Sequence, residues 1–122
     1  MRKLGAMVFL ATGFAVGIVA SAEAHHSLSV FDYRTEVTMK GTVTKFLYGN
    51  PHSFLHIAVE GDNGEVVVWA AEMSSVQAMV RRGIRQTTFK VGDVVTLSVN
   101  PMKSGSPAGK YTSVIAADGK TH

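Results

Sequence analysis

No cysteine occurs anywhere in the 122 residues. Disulfide staples and a lipid-modified N-terminal cysteine are therefore excluded, and so is a thiol nucleophile. A serine-centred nucleophile elbow is also missing, as is any pair of carboxylates at a spacing suited to acid–base work, so an enzyme is the least favoured class. It has no internal repeat and no linker that would set off a second domain. Strong charge of one sign is lacking too. The formal net charge is +3, but Arg2, Lys3 and Glu23 belong to the first two dozen residues, which leaves 12 − 2 = 10 basic against 9 − 1 = 8 acidic residues from His25 onward. A surplus of two does not make a nucleic-acid footprint.

What is present begins with a leader. Arg2 and Lys3 open a basic stretch, residues 7–20 are apolar, and Ala22-Glu23-Ala24 fits the small-x-small pattern of a signal-peptidase site. A membrane anchor is the alternative, but a span needs about 20 apolar residues and is not followed by such a site. The reading is a cleaved leader over residues 1–24 and a single exported domain over 25–122, periplasmic or extracellular and not membrane-embedded. About 100 residues suffice to bury a core without staples.

Cleavage after Ala24 makes His25 the first residue, followed by His26. An N-terminal histidine offers its amine and its ring to one metal ion, a donor set suited to copper first and zinc second. Cleavage after Ala22 instead places a histidine third, where amine, two amides and imidazole form a square-planar nitrogen set that favours Cu(II). The plain alternative is a frayed, polar terminus that carries two histidines by chance.

Residues 25–36 read as a lead-in arm, with Leu28, Val30 and Phe31 as apolar anchors. The chain centres on residues 41–72, where apolar positions recur with a period of two. The first strand, residues 37–48, is apolar at Val37, Met39, Gly41 and Val43, then changes phase at Phe46 and Tyr48. Such a flip marks a bulge at Gly41 or near Lys45. A second strand carries Leu55, Ile57 and Val59, and Asn63-Gly64 signals a type I′ hairpin into a third. With an even loop, Val66, Val68 and Ala70 share the core face with Leu55 and Ile57, while His52, Phe54, His56, Trp69, Ala71 and Met73 share the other. A three-residue loop reverses that parity.

Asn50-Pro51-His52 is a turn that aims His52 into the second strand. His52 and His56 lie on one face but some 13 Å apart, too far for one metal ion, and His52 beside the turn is the better ligand. For His56 the plain alternative is a packing histidine. Ser74-Ser75-Val76-Gln77 reads as a capping box with Ser74 as N-cap, and the short helix it opens ends at Gly83. Arg81 and Arg82 there are dipole partners rather than an anion site. Fourth and fifth strands over residues 94–99 and 110–116 flank a mobile Gly/Ser/Pro-rich loop, and Asp118-Gly119 starts a frayed tail.

Three strands, a helix and two strands, with a long bent first strand, match an OB-fold, a five-stranded Greek-key barrel plugged by its helix. An open sheet with a helix packed on it is the competing arrangement, and the phase flip favours closure. Taken together, His25-His26-Ser27, Phe31-Asp32, Gly41-Thr42-Val43, Asn50-Pro51-His52, Trp69-Ala70-Ala71-Glu72, Arg82-Gly83 and Gly92-Asp93-Val94-Val95 resemble a family of small exported bacterial proteins of unknown function. Tyr48 and Val91 depart from that pattern, which usually has Trp and Pro there. The resemblance implies an exported, β-rich domain and carries no activity.

Three functions compete. The first is binding or delivery of copper through His25, His26 and His52, with Glu72 reaching in from the barrel rim on core-face parity. The second is a non-enzymatic module that takes a saccharide or peptide on a face made of Phe54, His56 and Trp69, with Tyr48 nearby. The third is a structural or assembly partner that exposes a strand edge. For Trp69 and Glu72 the plain alternatives are packing and a solvated strand end.

Overall fold

A computed structural model describes residues 29–122. The expected leader at 1–24 and the His25-His26 pair lie outside the described residues. Five strands and one helix follow in order: β1 (Val37–Leu47), β2 (Phe54–Glu60), β3 (Val66–Glu72), α1 (Val76–Arg81), β4 (Val94–Pro101) and β5 (Ala108–Ile115). The sheet closes as β1-β2-β3-β5-β4, antiparallel throughout except for the short parallel pairing of β3 with β5. This is the expected OB-like barrel. Among the described residues no helix is long and apolar enough to cross a membrane.

Closure depends on the bend in β1. Val43 pairs with Ile57 but Lys45 pairs with His56, so Thr44 is the extra residue of a bulge. The bulge re-phases the strand, turning Val43 inward on one side and Phe46 inward on the other. The N-terminal half of β1 then pairs with β4 and the C-terminal half with β2. One strand thus serves both walls.

The β2–β3 hairpin sets the faces, and here the even-loop expectation is corrected. The Gly64 amide donates to Gly61 O at 2.9 Å, and the Gly61 amide donates to Glu65 O at 2.7 Å. Gly64 is left-handed at φ +79°, whereas no non-glycine residue among the described residues has positive φ. The turn is therefore a three-residue type I turn closed by a left-handed glycine, not type I′, and the Asn63 side chain accepts from the Glu65 amide at 3.1 Å. An odd loop puts Leu55 opposite Ala71 and Ile57 opposite Trp69. Both pairs face the core, and Val66, Val68 and Ala70 are displaced to the outer face.

The interior is lined by Val43, Leu55, Ile57, Val95, Leu97, Val99 and Val114. Residues from the β3–β4 connection plug one end, with Met73, Met79 and Ile84 all fully buried. The helix is capped by Ser75, whose side chain accepts from the Ala78 amide. Ser74 is not the cap because its carbonyl is taken by the Ser53 amide at 3.0 Å, which holds it in the β2–β3 ladder. At the other end the Ile84 amide donates to Met79 O and the Gly83 amide to Val80 O, a Schellman closure with Gly83 at φ +79°.

The lead-in arm docks as expected, and two segments expected to be loose are paired. The arm bridges Phe31 to Met102, and the Asp32 amide donates to Pro101 O at 2.8 Å. β4 runs through Asn100 and Pro101, and β5 already begins at Ala108, so the loop between them is shorter than the composition suggests. The tail is not frayed. It folds back at Asp118-Gly119 and exchanges backbone bonds between His122 and Val114, which covers that edge of β5.

Candidate functional site

His52 is placed by a loop sewn to the end of β3. The Ser53 hydroxyl, wholly buried, bonds both the amide and the carbonyl of Gly49, and the Met73 amide donates to Ser53 O at 2.8 Å. The Asn50 side chain accepts from the Val76 amide at 2.9 Å and so helps to cap α1. These bonds tie residues 49–53 to residues 73–76. His52, immediately before β2, is thereby held over the last residues of β3.

The Nδ1 atom of His52 lies 3.2 Å from Met73 O and 3.5 Å from Glu72 Oε1. A carbonyl can only accept, so the shorter contact is a hydrogen bond when Nδ1 carries the proton. That tautomer leaves the Nε2 lone pair unused, on a ring that is 45% exposed. The Lys110 ammonium donates to the same Glu72 Oε1 at 3.1 Å. His52, Glu72 and Lys110 form one chain of contacts that joins the β1–β2 loop to β3 and β5.

The parity that moved Trp69 inward moved Glu72 outward. Glu72 stands opposite Phe54 on the outer face, not on the core side, and needs no reach around the rim to meet His52. Lys110 was missed in the sequence because its position depends on the parallel β3–β5 pairing, in which Glu72 is its direct neighbour. That pairing joins segments almost forty residues apart without any local turn signal.

The face proposed for a saccharide or peptide does not exist as one surface. Phe54 and His56 point outward, while Trp69 packs half-buried against the core. Tyr48 also packs on the core and donates its hydroxyl to Ile84 O at 3.0 Å. His56 is flanked by Lys45 on β1 and Ala70 on β3. Burial, and then the Lys45 ammonium, hold its pKa below the usual imidazole value. His122 is elsewhere, with Nδ1 3.4 Å from Arg82 O and its ring edge-on to Phe89.

Among the described residues no group of three or more His, Asp or Glu side chains is close enough to hold a metal ion. His52 offers one solvent-exposed ring nitrogen in this cluster. A family model, described as a family of unknown function (DUF6152), matches residues 14–111. The chain belongs to DUF6152. The match runs from within the expected leader into β5 and includes both His25-His26 and the His52–Glu72–Lys110 cluster. No curated protein and no solved structure matches the chain.

Proposed function

We propose that this DUF6152 protein is an exported metal-binding protein, with copper the preferred ion and zinc the second. His52 Nε2 is one ligand, and His25 or His26 at the processed N-terminus supplies the others. The observation that carries the reading is the tethering of His52 through Nδ1. Metal-ligating histidines regularly donate their second ring nitrogen to a carbonyl or carboxylate, which fixes the tautomer and turns the free nitrogen toward the ion. Met73 O and Glu72 Oε1 are such partners. Glu72, shared with Lys110, acts as a positioning group rather than a ligand.

Calorimetric titration of the processed protein with Cu(II) tests this. One ion per chain is expected, with affinity lowered by His52→Ala and by deletion of His25 and His26. Unchanged affinity in His52→Ala would leave a terminal chelate alone and remove His52 from the site.

A further inference from the structure

Part of β3 is paired on one side only. β3 is bonded to β2 along its whole length but to β5 only from Ala70 to Glu72. In an antiparallel pair alternate residues turn their peptide groups toward the partner. The Gly61–Glu65 and Met73–Ser53 bonds fix odd-numbered residues of β3 as those facing β2, and the Ala70 amide bonds Pro107 O on the opposite side. Val66 and Val68 therefore direct N–H and C=O away from β2, into the gap before β5 begins. Neither has a backbone partner there among the described residues.

The side chains on this stretch are exposed as well: Val66 62%, Val67 43% and Val68 47%. An apolar edge with open peptide groups is a template for another strand, and protein edges are ordinarily guarded by lysine, proline or a covering segment. The comparable edge of β5 is covered by the tail at His122. β3 has no such cover among the described residues.

Charge selects the occupant. Glu60, Asp62 and Glu65 crowd the hairpin end of this edge, all exposed and none in an ion pair among the described residues. At the other end the charges are matched, because Lys110 meets Glu72. In the antiparallel register that pairs Val66 with Val68, a second copy would bring the same apolar run and, to the acidic end, only the matched Glu72–Lys110 pair, with no surplus positive charge. We propose that the β3 edge at Val66 and Val68 takes an added strand from another polypeptide, apolar at alternate positions and bearing lysine or arginine beside Glu60, Asp62 and Glu65. Main-chain bonds to the two valines supply the attachment, and the acidic end fixes the direction of the strand.

Trp69, the sole tryptophan of the chain, adjoins the edge and reports on it. The probes are two acetylated, amidated peptides, Lys-Val-Thr-Val-Thr and Glu-Val-Thr-Val-Thr, titrated at low salt and followed by Trp69 emission and by the Val66 and Val68 amide resonances. Saturable binding of the lysine peptide is expected, weakened about tenfold or more for the glutamate peptide. Val68→Pro deletes an outward donor and no β2 bond, so it abolishes binding, and Glu60→Lys with Glu65→Lys inverts the peptide preference. Amide shifts absent from Val66 and Val68 at saturating lysine peptide would overturn the proposal. So would equal binding of the two peptides, or concentration-dependent self-association that occupies the same amides without peptide.

Discussion

Ile57 and Trp69 stand directly opposite each other across β2 and β3, both on the inner wall of the barrel. Ile57 is wholly buried and Trp69 packs against the same core. This pairing settles which residues can act together. It removes Trp69 from the outer surface and carries Glu72 to the outer face, beside His52.

Trp69→Ala is expected to destabilise the fold by about 2–3 kcal/mol, less than a full aromatic truncation because the ring is only half-buried. Val68→Lys, one residue away on the exposed face, should cost less than about 0.5 kcal/mol. Urea unfolding of the two variants measures both, and a reversed order would contradict the register.

Much of this architecture was legible in the sequence. Alternation placed β1 to β3, the flip between Val43 and Phe46 marked the Thr44 bulge, and the element order gave the closed barrel. The hairpin was found at Asn63-Gly64, but its loop count was not, because the same dipeptide suits a two-residue I′ turn or a three-residue turn closed by Gly64. That single residue reverses every side chain of β3. Lys110 and the Asn50 cap on α1 depend on contacts distant in sequence, for which no local pattern exists.

The helix boundary gives a second test. Ser75→Ala should cost about 1 kcal/mol, and Asn50→Ala a similar amount, since each side chain accepts an otherwise unpaired amide of the first turn. Ser74→Ala should be near neutral, its backbone carbonyl being the group in use. Thermal unfolding of the three variants distinguishes this cap from a capping box headed by Ser74.

His56 makes stability depend on pH. Burial and the neighbouring Lys45 disfavour its charged form, so its pKa is lower in the folded chain than in the unfolded one. The sign follows: its contribution is complete above the ordinary imidazole value of 6.5 and is lost as pH falls below it, down to the folded pKa. Denaturant midpoints should fall between pH 7 and pH 5 more steeply in the native chain than in His56→Gln. Equal slopes would contradict this environment for His56.

Glu72→Gln keeps an acceptor near His52 but removes the charge shared with Lys110. Its effect on stability should be below about 1 kcal/mol, as the pair is partly exposed. Its effect on Cu(II) affinity should be larger, a loss of about 10- to 100-fold, because the second-sphere partner of a ligating histidine tunes and orients it. A loss of stability without any loss of affinity would make the cluster structural only.

The most direct test of metal binding is electron paramagnetic resonance of the processed protein loaded with one equivalent of Cu(II), with His52 present or replaced by Ala. If His52 Nε2 is a ligand beside the N-terminal histidines, the native spectrum carries nitrogen hyperfine structure that loses one imidazole contribution in His52→Ala. Superimposable spectra from the two proteins would show that the copper never touches His52, and would contradict the site.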